Sequence, residues 1–161
     1  MGKRSEIVNY ALSCVDKNRA AVGCDGEHAW CAHFVSNVLR NVGLTEIYDL
    51  SCTCMQRKMS ESPNWLEPED WPIPGDIIFF DWDHKIEERP LDHVGIVVKC
   101  EGDLIEYVNG NGDSEYKVTK QVIGRRSKNI AYWMRYNEAR NSVTVSMMIE
   151  GKRYSGDLYE I

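Results

Sequence analysis

Two kinds of hydrophobic pattern divide the chain into a helical first half and a strand-rich second half. Apolar residues recur at helical spacing after Ser5, which we expect to cap a first helix, and again across residues 30–40. Gly43 is a natural C-terminal stop for the second helix. A weaker pattern predicts a third helix over about residues 49–59.

Short apolar runs separated by turn residues predict strands in the second half. They cover residues 76–80, 93–98, 104–108, 116–123 and 130–136. Successive strands joined by short turns are typical of an antiparallel sheet. Helices followed by strands predict an α+β fold, with N-terminal helices packed on a five- to six-stranded antiparallel sheet.

The last residues form a separate pattern. Residues 137–142 are polar, and apolar side chains then alternate up to a turn at Glu150-Gly151-Lys152, after which the chain returns. This pattern predicts a terminal β-hairpin, which is marginal in water unless it packs on something else. We therefore divide the chain into a main domain, residues 1–137, and an extension of linker and hairpin, residues 138–161.

Composition narrows the class of protein. The chain has 161 residues, 43% hydrophobic, which suits one domain with a core. Its net charge of −6 argues against nonspecific nucleic-acid binding. We find no apolar stretch long enough to insert into a membrane and no signal-peptide pattern. The sequence does not indicate an oligomeric state.

Six cysteines favour a mostly reduced protein. If one is a nucleophile, the remaining five cannot all pair. Cys52 and Cys54 are two residues apart and do not have the spacing of a zinc knuckle, so we expect no structural zinc.

Three residues form a candidate catalytic set. Cys31 begins the second predicted helix, where free amides and the helix dipole favour a thiolate. His93 opens a strand, and Asn109 ends the next one, so a short turn brings their ends together. Asn109 can then orient the imidazole that takes the thiol proton. Each residue also has a structural interpretation, as a core cysteine, a surface histidine and a turn asparagine.

Four motifs in this order resemble the CHAP family of cysteine, histidine-dependent amidohydrolases and peptidases. The resemblance spans about residues 7–136. The motifs are Trp30-Cys31-Ala32-His33-Phe34-Val35, Pro74-Gly75-Asp76-Ile77-Ile78-Phe79-Phe80-Asp81-Trp82, Asp92-His93-Val94-Gly95-Ile96-Val97-Val98 and Asn109-Gly110-Asn111.

The resemblance implies a papain-like fold and an N-acetylmuramoyl-L-alanine amidase or peptidoglycan endopeptidase, working through an acyl-enzyme thioester. Cys31, His93 and Asn109 are then catalytic. Many members have Glu at the third position, whereas Asn109 can orient the imidazole without supplying charge. Asn111 matches a following Asn of the family and is a further candidate site residue.

Other side chains have weaker claims on the site. Trp30 adjoins the nucleophile, and of the tryptophans it is our predicted substrate contact or supporting residue. His28 can reach the site in either role but is more typical of a loop residue. We expect His33 and His84 to be exposed. No cofactor and no metal ligand are predicted, although Asp81, Asp83 and Asp92 leave calcium as an alternative.

Two other functions stay open. One is a non-catalytic CHAP-like module of a phage or mobile element that binds cell wall or a partner. The other is an amidase acting on glutathionylspermidine-like conjugates. Family resemblance implies action at the cell wall or outside the cell, with a cytoplasmic stage before release as the alternative.

Overall fold

Three helices form the first half of the chain. The computed structural model describes residues 2–84 and 91–138. The helices are α1 (Lys3–Ser13), α2 (Cys31–Asn41) and α3 (Cys52–Glu61). Ser5 lies inside α1, which begins after Gly2, so the predicted cap is wrong. Ser51 caps α3, because its hydroxyl accepts a hydrogen bond from the Cys54 amide at 3.2 Å.

Within the described residues, six antiparallel strands form one sheet in the order β1-β6-β2-β3-β4-β5. Their bounds are β1 (Trp65–Leu66), β2 (Ile77–Phe80), β3 (His93–Glu101), β4 (Leu104–Asn109), β5 (Thr119–Gly124) and β6 (Ile130–Tyr136). The α+β prediction is confirmed. The two-residue strand β1 was not predicted, because it lies in a proline-rich segment and is too short to show alternation.

The two faces of the sheet have different partners. Val94 and Ile96 of β3 belong to the core that includes buried residues of α1, α2 and α3. Val97 lies in a smaller cluster with Phe80 and Tyr107. The His93 ring lies beside Phe80, with 5.9 Å between centroids, which places His93 at the end of this second face.

The segment Pro74-Gly75-Asp76 anchors the sheet. Asp76 is completely buried, and its carboxylate accepts hydrogen bonds from Nε and Nη2 of Arg135, both at 2.8 Å. Gly75 has φ +96°, and a Cβ there would lie 2.7 Å from Cβ of Arg4. Glycine is therefore required where α1 crosses the start of β2.

Several further predictions can be compared with the structure. All six cysteines lie in the described residues, and each is a free thiol. In residues 2–84 and 91–138, no helix is both long and apolar enough to cross a bilayer. The predicted C-terminal hairpin lies outside the described residues, so it and the domain boundary remain predictions.

Candidate active site

Cys31 is the first residue of α2, as the sequence predicts. The N-cap residue Trp30 provides no side-chain cap, which leaves the first amides of the helix available. The Ala32 amide donates a hydrogen bond to the Cys31 sulfur. Cys31 is buried, with 5% of its surface exposed. This position favours the charged form of the sulfur.

Trp30 anchors the start of α2 in the core. Its side chain is fully buried, and its indole Nε1 donates to the Glu115 carbonyl at 2.9 Å. The indole packs against Gly110, where a Cβ would lie only 2.4 Å from Cζ3 of the ring. A fully buried indole has no surface to offer substrate, so of the two predicted roles the supporting one fits Trp30. The ring connects the Cys31 helix to the turn after Asn109.

His93 is the first residue of β3 and contacts both other members of the predicted set. The Cys31 sulfur is close enough to His93 to raise the pKa of the imidazole. Nε2 of the ring lies 2.5 Å from Oδ1 of Asn109. Since Nε2 is occupied by the amide, Nδ1 is the nitrogen left for the sulfur. The structure therefore brings Cys31, His93 and Asn109 together in the predicted order.

Asn109 is the last residue of β4 and is completely buried. Its Nδ2 donates to the carbonyl and the hydroxyl of Thr119, at 3.1 and 3.2 Å. These bonds identify the amide nitrogen and leave Oδ1 to accept from His93. Thr119 is not among the predicted site residues. The structure places it directly opposite Asn109 in the pairing of β4 with β5.

The electrostatics favour a thiolate and an imidazolium. The pKa of Cys31 falls to about 4, first through a hydrogen bond with Cys52, against the opposing effect of burial, and then through His93. Burial lowers the pKa of His93, but the hydrogen bond and charge of Cys31, with the Asn109 bond, raise it above its usual value. Near neutral pH the two side chains therefore form an ion pair.

A cleft of about 230 Å³ opens beside His93. Trp82 forms one wall of the cleft and is 42% exposed. Its ring stacks on Phe80, with 4.7 Å between ring centroids. Asn111, which the family resemblance made a candidate site residue, has φ +57° and is part of the lining. The cleft is lined by Trp82, His93, Tyr107, Asn111, Gly112, Asp113 and Gln121.

The other histidines lie elsewhere. His28 Nε2 and His33 Nδ1 are 2.8 Å apart, so His28 pairs with the side of α2 that faces away from Cys31. His28 is therefore not brought to the nucleophile. His33 is half-buried by this pairing, so its predicted exposure is wrong, whereas His84 is exposed as predicted.

Three carboxylates cluster near the start of β3. One oxygen each from Asp81, Asp83 and Asp92 can be chosen so that all lie within 4.8 Å of one another. Asp92 Oδ2 already accepts the Trp82 amide at 2.7 Å. Carboxylate oxygens suit calcium, and calcium at this cluster remains the alternative that the sequence left open.

Comparisons with known proteins give one family model and two solved structures of similar fold. A family model described as the CHAP domain matches residues 23–111. The crystal structure of Ly7917 superimposes with a TM-score of 0.57 at 15% identity. The structure of Ly7917 with the hydrolyzing product of MDP gives 0.59 at 14% identity. Both comparisons cover 83% of this chain and 62% of the other. The chain thus spans less than two thirds of these solved chains, and no curated protein sequence matches it.

Proposed function

The chain belongs to the CHAP domain family, and we propose that it is a cysteine hydrolase that cuts amide bonds in peptidoglycan. The observation that carries this proposal is that the fold brings the Cys31 thiol, the His93 imidazole and the Asn109 amide together, with His93 lining an open cleft. A thiolate, a proton-holding imidazole and an orienting amide are the groups that acyl transfer from an amide requires.

In the proposed mechanism the Cys31 thiolate attacks the substrate carbonyl. The backbone amide of Cys31, at the uncapped start of α2, stabilises the oxyanion that forms. His93 gives its Nδ1 proton to the departing amine, which leaves an acyl-enzyme thioester. The neutral imidazole then takes a proton from water, which attacks the thioester and releases the acid. Asn109 keeps the ring aligned through both steps.

Family membership and the shape of the cleft support a peptidoglycan substrate. Ly7917, whose fold is similar, has a structure with the hydrolyzing product of MDP. In the present chain the cleft has an aromatic wall, Trp82, and polar side chains, Asn111 and Gln121. Such a lining suits a ligand with both apolar faces and amide groups. The bond is either the muramoyl–alanine amide or an amide of the stem and cross-bridge peptides, and the site of action is the cell wall.

Clearing of purified cell walls tests the proposal. We expect the wild-type protein to lower the turbidity of a wall suspension and Cys31→Ala to leave it unchanged, with both variants equally folded by circular dichroism. Equal clearing by both proteins would reject the mechanism. Release of free amine from a glutathionylspermidine-like conjugate, with walls untouched, would replace the substrate and keep the chemistry.

A further inference from the structure

A second thiol lies against the candidate nucleophile. The Sγ atoms of Cys52 and Cys31 are 3.5 Å apart, and both residues are buried. This separation is within hydrogen-bonding range for sulfur and well beyond the ~2.05 Å of a disulfide. Cys52 is the first residue of α3, so two different helices bring the sulfurs together.

Hydrogen bonds of the two neighbouring residues, Ser51 and Thr53, fix the position of Cys52. Ser51 caps α3 through the Cys54 amide, and Thr53 Oγ1 accepts the Leu91 amide at 3.2 Å. The Leu91 contact ties the first turn of α3 to the segment that enters β3 at His93. Cys52 is therefore held next to the same strand end that carries the catalytic imidazole, and its proximity to Cys31 is built into the packing.

We propose that Cys52 is a positioning residue, whose S–H group donates a hydrogen bond to the Cys31 thiolate and holds it in the charged form, aimed at substrate. The inference rests on the proposed role of Cys31 as nucleophile. It adds a third donor to the sulfur, after the Ala32 amide and the His93 imidazolium. A donor hydrogen bond to an ion is stronger than one between neutral groups, which compensates for the weakness of S–H as a donor.

The surroundings decide which sulfur keeps the proton. The positive charge of His93 lowers the pKa of Cys31, whereas the Asp92 carboxylate raises the pKa of Cys52. The hydrogen bond with Cys31 is the largest cause of that upward direction, followed by burial. Two adjacent thiols of this kind share one proton, as paired carboxylates do. The negative charge therefore belongs on Cys31 and the proton on Cys52.

The pH dependence of Cys31 alkylation tests the inference. Iodoacetamide reacts with the thiolate, and tandem mass spectrometry locates the label on Cys31, with a phosphine reductant present throughout. For Cys52→Val and Cys52→Ala, which remove the donor, we expect the rate near pH 5 to fall about tenfold relative to wild type, with little change near pH 8. Cys52→Ser keeps a donor and should retain the wild-type profile.

Cys54→Ala is the matched control, because it removes a half-buried thiol two residues further along α3. Unchanged profiles in both donor-free variants would overturn the inference, and so would equal shifts in Cys52→Ser and Cys52→Val. If one donor-free variant fails to fold, the other carries the test. The alkylation assay uses no cell wall, so its result can be interpreted even if the wall-clearing experiment fails. A wild-type Cys31 that reacts as an ordinary thiol would reject both the role of Cys52 and the role of Cys31 as nucleophile.

Discussion

Asn109 Oδ1 lies 2.5 Å from Nε2 of His93, and this contact determines which imidazole nitrogen meets the nucleophile. The two residues lie near the same end of the β3–β4 hairpin, one at its first residue and the other at its last. Because Thr119 holds the amide nitrogen, the oxygen of Asn109 is directed at the ring. The imidazole orientation is thus fixed by three successive strands.

Replacing Asn109 should impair catalysis more than folding. In Asn109→Ala the imidazole loses its orienting acceptor, and we expect kcat/KM for wall clearing to fall about 10- to 100-fold, the range typical of residues that orient a reactive side chain. Asn109→Asp restores an acceptor and adds negative charge, which should raise the pKa of His93. Full activity in Asn109→Ala, measured beside its thermal unfolding, would contradict the role.

Replacing Thr119 should also lower activity, but by less than replacing Asn109. Thr119→Val removes the hydroxyl acceptor at 3.2 Å but leaves the backbone carbonyl at 3.1 Å. The Asn109 amide then keeps one of its two partners, so we expect a loss of only a few-fold, reversed by Thr119→Ser. A loss as large as that of Asn109→Ala would show that the hydroxyl does more than orient the amide.

Activity should follow a bell-shaped pH profile set by the ion pair. The lowered pKa of Cys31, about 4, places the acid limb there, since the thiolate is lost below it. The pKa of His93 is raised, so the imidazolium that protonates the leaving amine is lost only above the usual histidine range, and activity then falls. Initial rates of wall clearing at constant ionic strength measure both limbs. An acid limb at the pKa of an ordinary thiol would contradict a preformed thiolate.

Gly110→Ala should destabilise the protein and disturb the nucleophile helix. A Cβ at this position would lie 2.4 Å from Cζ3 of Trp30 and 3.1 Å from Cβ of Phe34, and neither residue has room to move. Overpacking of this kind costs about 1–3 kcal/mol. Chemical denaturation measures the loss, and Gly124→Ala is the control, because nothing lies within 4 Å of its added Cβ. Equal stability of the two variants would show that the Trp30–Gly110 contact is not tight.

The juxtaposition of the three candidate catalytic residues could be predicted from sequence because its geometry is largely local. A helix start fixes Cys31, and one hairpin fixes His93 against Asn109. The contribution of Cys52 could not be predicted, since its contact with Cys31 joins two helices across 21 residues of sequence. The sequence left Trp30 as either a substrate contact or a supporting residue, because periodicity does not indicate which side of a helix start is buried; its burial in the structure favours the supporting role.

Mass spectrometry of digested peptidoglycan tests the central claim most directly. Purified walls are incubated with the wild-type protein or with Cys31→Ala, and the soluble fragments are identified. The account predicts fragments with new amine and carboxyl ends at an amide bond, gaining one water per cut, in the wild-type digest alone. Fragments ending in new reducing sugars, or the same amide products from Cys31→Ala, would contradict it.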